Sequence, residues 1–111
     1  MSIDTRLATY GTLAPGRPNH HQLAPLSGEW LDGYVTGRLV QRGWGAKLGY
    51  PAMVPDPDGE PIAVSLFLSD QLPLHWLRLD AFEGKEYRRA AIDVHTERGT
   101  FEAWIYLDRA P

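Results

Sequence analysis

Apolar and polar residues alternate along most of this 111-residue chain, and this spacing is typical of β-strands that bury one face. The alternation is clearest between Ile62 and Leu68, and again between Phe101 and Leu107. Eleven glycines and nine prolines interrupt the pattern, which favours short strands joined by turns. The pattern predicts strands at residues 6–10, 30–40, 52–54, 61–68, 90–96 and 101–107.

One segment departs from this alternation and predicts a single helix over residues 72–82. Ser69 or Asp70 is placed to cap its start, and Gly84 stands where a helix end favours a left-handed residue. The apolar stripe that defines the helix repeats at helical spacing and consists of Leu72, Trp76, Leu79 and Phe82.

Short strands with one helix predict an α+β domain over residues 1–111, built as a small mixed β-barrel of about five to seven strands. We expect the helix to pack across one opening. Gly33 and Gly37 interrupt the second strand, so a bulge or bend is expected at each. In the last strand, Trp104 and Tyr106 fall on the face opposite Ile105 and can wall a pocket.

Composition narrows the class of protein. The net charge of −3 argues against a nucleic-acid partner, because such proteins usually carry a basic face. No window approaches the ~18 to 20 apolar residues of a membrane span. The chain has no cysteine, which excludes disulfides and thiolate chemistry, and its first residues have no signal-peptide pattern. We therefore expect a soluble cytoplasmic protein without a cofactor; the oligomeric state stays open.

Glu83 is the main candidate for chemistry. An exposed carboxylate at a helix end is the simpler interpretation, since glutamate is mostly solvated. However, the partial negative charge of a helix C-terminus disfavours a carboxylate there and raises its pKa, which suits proton transfer near neutrality. Glu86 lies three residues further on and is a rival carboxylate.

Tyr10, Gly11, Thr12 and Leu13 form a second candidate, because a glycine turn after a strand can point consecutive N–H groups at an anion. An ordinary turn is the alternative. Two further arrangements in the sequence are weaker. The adjacent His20 and His21 have no third ligand at metal spacing, so no metal site is expected. A triad of Ser65, His75 and Asp80 would lack a nucleophile elbow.

The order of these motifs, from Ala8 to Leu107, resembles the γ-glutamyl cyclotransferase-like family of small barrels, which includes γ-glutamylamine cyclotransferases and avirulence-induced-gene-like proteins. The resemblance rests on four motifs: a strand that ends in Tyr-Gly-Thr-Leu at residues 10–13, a Pro-Gly-Arg-Pro-Asn-His-His loop at 15–21, Gly-Tyr-Pro at 49–51, and Leu-Asp-Ala-Phe-Glu-Gly at 79–84. Downstream it continues with Tyr87, Arg89, Trp104 and Tyr106.

The resemblance implies that Glu83 is the catalytic acid and base, and that the substrate is bound by Tyr10, Gly11, Thr12, Leu13, Tyr50 and Tyr87. Arg89 matches a recurring basic position without an assigned role. The implied reaction is attack of a γ-glutamyl α-amine on its own γ-amide, which releases 5-oxoproline and an amine. The chain departs from the family at Ala14, where a basic residue is common, and at Val64-Ser65, where Gly-Glu is common.

Two classes of function are therefore expected. One is an enzyme that acts on a small γ-glutamyl compound with Glu83 as the general acid and base. The other is a non-catalytic module on the same fold that binds a small molecule or another protein. The identity of the leaving amine is not encoded in any of these motifs.

Overall fold

The structure of the chain is a computed structural model, which describes residues 3–10, 20–40, 52–85 and 87–108. Strands predominate, as the alternation predicts. In chain order the elements are β1 (Arg6–Thr9), β2 (Glu29–Val40), β3 (Ala52–Pro55), β4 (Glu60–Leu68), α1 (Trp76–Glu83), β5 (Tyr87–Thr96) and β6 (Gly99–Asp108). Short 3-10 turns occur at Ile3–Thr5, His20–Gln22 and Leu72–Leu74.

Five of the strands close into a barrel. The strand order is β3-β2-β4-β1-β6-β5, and β5 pairs back with β2 at Tyr34 and His95 to close the circle. β3 pairs with β2 outside this circle. β1 and β6 run parallel, whereas the other pairs are antiparallel. The predicted mixed barrel of the α+β class is thus confirmed.

A bulge or bend was expected at Gly33 and at Gly37, and the bulge is absent from the pairing of β2 with β4. The register of β2 against β4 is unbroken from Glu29 to Gly37, so neither glycine interrupts that pairing. Gly33 instead lies where β5 crosses to close the barrel. A Cβ added there would come within 2.8 Å of the His95 carbonyl oxygen, so a side chain would oppose the close approach of the two strands.

Two hydrophobic cores follow from the alternation. The barrel interior contains one face of every strand, with Val35, Met53, Val64, Leu66, Val94, Ala103 and Ile105 among its buried members. The second core lies between the outer barrel wall and α1, where Leu7, Phe67 and Tyr106 meet Trp76 and Leu79. Trp104 and Tyr106 therefore face α1 while Ile105 faces the interior, as the sequence predicts.

The helix is shorter than predicted. The 3-10 turn Leu72–Leu74 precedes it, and α1 proper begins only at Trp76, after His75. Neither Ser69 nor Asp70 caps α1, because His75 takes its N-cap position without a side-chain cap. The Ser69 hydroxyl instead accepts the Gln71 N–H at 3.1 Å, ahead of the 3-10 turn, and donates to the Ser27 carbonyl oxygen at 2.6 Å, which ties the helical segment to the loop before β2.

The end of the helix is as predicted. Gly84 follows Glu83 with a φ of 83° and a ψ of −178°, a conformation that a residue with a Cβ rarely adopts. The Gly84 N–H still donates to the Asp80 carbonyl oxygen at 3.1 Å. Glu83 is therefore held in the last helical position. Within the described parts of the chain, no helix is long and apolar enough to cross a membrane.

Candidate active site

Glu83 has the environment of a carboxyl group that exchanges protons near neutrality. It is the last residue of α1 and is partly buried. Burial disfavours the charged form and raises the pKa of Glu83 from its ordinary 4.5 to about 7. The carboxyl group can therefore exchange a proton near neutral pH. The sequence-based expectation relied on the helix C-terminus, whereas desolvation is the cause seen in the structure.

Asp80, one turn earlier in α1, joins the helix to the barrel wall. Its Oδ1 accepts a hydrogen bond from the Tyr106 hydroxyl at 2.7 Å and another from Arg89 Nε at 3.0 Å. Its Oδ2 lies 3.4 Å from Arg89 Nη2. We call Asp80, Arg89 and Tyr106 the tether cluster. Burial, followed by the hydrogen bond to Asp80, raises the pKa of Tyr106 above its usual range, so its hydroxyl stays protonated and donates.

Arg89, whose role the sequence left unassigned, is the centre of an aromatic sandwich. Its guanidinium carbon lies 4.4 Å from the Trp76 ring centroid and 4.7 Å from that of Trp104. Both indole N–H groups donate to Asp4, Trp76 to the backbone oxygen and Trp104 to Oδ1, each at 2.8 Å. Cation–π contact and the ion pair with Asp80 together hold Arg89 in one orientation.

Tyr10 lies at the end of β1 and contacts the same part of β6. Its hydroxyl donates to the backbone oxygen of Tyr106 at 2.7 Å. The predicted anion cradle continues from Tyr10 into Gly11, Thr12 and Leu13, which lie outside the described residues, as do Tyr50 and Glu86. Three expectations therefore stay predictions: the anion cradle, the contact of Tyr50 with the substrate, and Glu86 as the alternative catalytic carboxylate.

A cleft of about 730 Å³ lies beside the tether cluster, between the end of α1 and the outer faces of β5 and β6. Its volume falls in the range of small-molecule sites. Glu83 is not one of the described residues that line it. The lining residues include aromatic rings, three cations and one acid. They are Asp80, Ala81, Gly84, Lys85, Tyr87, Arg88, Arg89, Trp104 and Tyr106. Tyr87, a predicted substrate contact, thus lies on this cleft.

The contacts of Asp80 and His75 do not form the alternative triad. Asp80 is engaged by Arg89 and Tyr106, while His75 Nδ1 accepts from Arg78 Nε at 3.2 Å. His20 packs against Trp30, with ring centroids 5.5 Å apart. Among the residues that the structure describes, no group of three or more His, Asp or Glu side chains is placed to hold a metal ion.

Sequence reasoning missed the contact between Asp80 and Tyr106. Asp80 was named only in the rejected triad and within the motif at residues 79–84, and Tyr106 only as a pocket aromatic and as part of the resemblance. Their contact joins residues that are 26 positions apart in the chain. A signal was available, because Arg89 and Tyr106 are both polar residues on the outward-facing positions of neighbouring strands.

Comparison with known proteins places the chain among small barrels of the same kind. A model of the family described as gamma-glutamyl cyclotransferase, AIG2-like, matches residues 7–110. The solved structure of YkqA from Bacillus subtilis is 28% identical with a TM-score of 0.73, over 95% of this chain. The present chain spans only 36% of that protein's length.

Two further structures share the fold. An AIG2-like protein from Mus musculus is 22% identical with a TM-score of 0.72, and the match covers 96% of this chain and 78% of the mouse chain. An allophanate hydrolase from Kluyveromyces lactis is 16% identical with a TM-score of 0.68, over 96% of this chain and 17% of the hydrolase. No match was found among curated proteins.

Proposed function

Because the chain belongs to the gamma-glutamyl cyclotransferase, AIG2-like family, we propose that it cyclises a small γ-glutamyl compound to 5-oxoproline. Membership supports a cyclotransferase-type activity in general. The proposal adds the reaction, the class of substrate and the residue that transfers protons. It treats the cleft and the predicted cradle as parts of one substrate-binding region.

The proposed reaction needs no nucleophile from the protein. The α-amine nitrogen of the substrate attacks its own γ-carbonyl carbon, which forms a C–N bond within a five-membered ring. The original amide C–N bond then breaks, and the leaving amine takes up a proton. A chain without cysteine is compatible with this chemistry, since the substrate supplies the attacking atom. The main task of the protein is to hold the substrate folded and to move protons.

Glu83 is proposed to carry out both proton transfers of this reaction. As a carboxylate it accepts a proton from the α-ammonium group, and as a carboxylic acid it returns that proton to the leaving amine. A group performs both steps best when its pKa lies near the working pH. Burial raises the pKa of Glu83 to about 7, and this is the single observation that carries the assignment.

The remaining predicted residues are proposed to bind the substrate. Backbone N–H groups of Gly11, Thr12 and Leu13 would contact its carboxylate or the oxyanion that develops on the γ-carbonyl oxygen. Tyr10, Tyr50 and Tyr87 would form the walls. Tyr10 is supported by its position beside Tyr106, and Tyr87 by its place on the cleft.

The experiment is incubation of the purified protein with a panel of γ-glutamyl amino acids, peptides and amines, followed by mass-spectrometric measurement of 5-oxoproline. Glu83→Gln keeps the size of the side chain but cannot exchange protons, so turnover should fall by about 10²- to 10⁴-fold. Glu60→Gln is the matched control, because Glu60 is exposed on β4. Binding of a panel member without any 5-oxoproline would overturn the proposal in favour of a binding module.

A further inference from the structure

The last turn of α1 is attached to the barrel through Asp80. The Asp80 carbonyl oxygen accepts the Gly84 N–H, which closes the turn that ends at Glu83. The Asp80 side chain reaches the barrel wall, where it accepts from two strands at once. α1 has only eight residues, so its position depends on contacts with the barrel more than on its own helical bonds.

The two donors to Asp80 come from a fixed pair of strand positions. Arg89 on β5 and Tyr106 on β6 are register partners, so they lie side by side on one face of the sheet. Trp76 and Trp104 hold the guanidinium between them, and Trp76 itself belongs to α1. The helix end is therefore joined to the wall by polar and aromatic contacts that reinforce one another.

Tyr106 also contacts the residue that precedes the predicted cradle, since its backbone oxygen accepts the Tyr10 hydroxyl at 2.7 Å. One residue thus connects to α1 through its side chain and to Tyr10 through its backbone. We propose that Asp80, Arg89 and Tyr106 are positioning residues that fix the Glu83 carboxyl group relative to Tyr10. This inference rests on the proposed function for its catalytic meaning.

The positioning role has two measurable consequences. A displaced carboxyl group transfers protons poorly, because a misplacement of ~1 Å can cost about 10²-fold in rate. A loosened helix end also admits water to Glu83, which weakens the desolvation that raises its pKa. Among the described residues, the charged or titratable groups near this end are Asp80 and Lys85 on and after α1, Tyr87, Arg88 and Arg89 on β5, Tyr106 on β6 and Tyr10 after β1.

Tyr106→Phe is the central variant, because it removes one hydrogen bond while keeping the ring, the backbone oxygen and the net charge. We expect kcat to fall by roughly 10-fold or more with KM changed little, since the defect lies in positioning and not in uniform binding. The acidic limb of the pH–rate profile should move to lower pH. Glu29→Gln is the control, because it breaks the distant Arg98–Glu29 ion pair on the surface.

Arg89→Gln separates positioning from simple electrostatics. Loss of a positive charge alone would raise the pKa of Glu83, whereas release of the helix end lowers it. The pKa is read directly from the ¹³C carboxyl resonance of Glu83, assigned by its absence in Glu83→Gln, so the measurement does not depend on activity. A wild type that makes no 5-oxoproline would refute the proposed function but leave this titration decisive for the tether.

The tether proposal is supported if both Tyr106→Phe and Arg89→Gln lower the Glu83 pKa. An unchanged value in Tyr106→Phe, or a raised value in Arg89→Gln, would overturn it. If Arg89→Gln does not fold, judged by circular dichroism, Tyr106→Phe alone decides the matter through the same resonance. A loss of thermal stability without any change in kcat or in the Glu83 pKa would assign the cluster a merely structural role.

Discussion

Glu83→Gln should stabilise the protein while it impairs the proposed chemistry. A buried carboxylate is costly because it loses hydration, and desolvation is the cause of the raised Glu83 pKa. Glutamine is neutral at every pH and nearly the same size as glutamic acid. The substitution therefore removes the cost of holding a charge in this position without creating a cavity.

The magnitude follows from the difference in proton affinity between the folded and unfolded states. The folded-state pKa of about 7 lies above the ordinary 4.5, so the folded protein binds more protons between these values. The contribution of Glu83 to wild-type stability is accordingly full below pH 4.5 and is lost as the pH rises through 7. The loss amounts to about 3 kcal/mol above that window.

The assay is urea unfolding of wild type, Glu83→Gln and the surface control Glu60→Gln near pH 4.5 and near pH 8. Glu83→Gln should match the wild type at the lower pH and exceed it by about 3 kcal/mol at the higher pH. In thermal unfolding the gain corresponds to on the order of 10 °C for a domain of this size. An advantage independent of pH, or no advantage at pH 8, would refute the claim that Glu83 is held in a desolvating site.

Three further outcomes are expected. The kcat/KM of the wild type should rise with pH through about 7 as Glu83 ionises and then level off, and a limb near 4.5 would contradict burial of the base. Gly84→Ala and Gly99→Ala should each lower the free energy of unfolding in urea by roughly 1 to 3 kcal/mol, because both glycines have positive φ. Only Gly84→Ala should also lower turnover. Arg89→Lys should lower the free energy of unfolding by about 1 to 2 kcal/mol, because lysine cannot reproduce the planar contacts of the guanidinium group. Arg98→Lys, in an exposed ion pair, should change it by less than about 1 kcal/mol. Equal losses would contradict the packed role of Arg89.

Local spacing was sufficient to predict most of the elements. Alternation places strands correctly because each strand buries one face in the barrel interior, as Ile105 does between Trp104 and Tyr106. The helix was predicted from its apolar stripe for the same reason. The sequence could not decide whether Gly33 and Gly37 form bulges, because a glycine in a strand permits either a bulge or the close approach of another strand. Only the pairing of β5 with β2 shows that Gly33 serves the second purpose.

The site was only partly predictable. The position of Glu83 follows from Gly84, whose conformation ends the helix, and this is a local signal. The Asp80–Tyr106 contact depends on how the closed barrel presents β6 to α1, so no local spacing encodes it. The position of the cap was missed for a local reason, because the 3-10 turn Leu72–Leu74 separates Ser69 from α1, and the Ser69 hydroxyl contacts Gln71 and Ser27 instead.

The most direct test of the central claim is the amount of 5-oxoproline that equal quantities of folded wild type and Glu83→Gln release from one γ-glutamyl compound near pH 7. The account predicts steady formation by the wild type and a rate lower by about 10²- to 10⁴-fold for the variant, with the leaving amine produced in equal amount. Near-normal turnover by Glu83→Gln would contradict the assignment of Glu83 as the general acid and base.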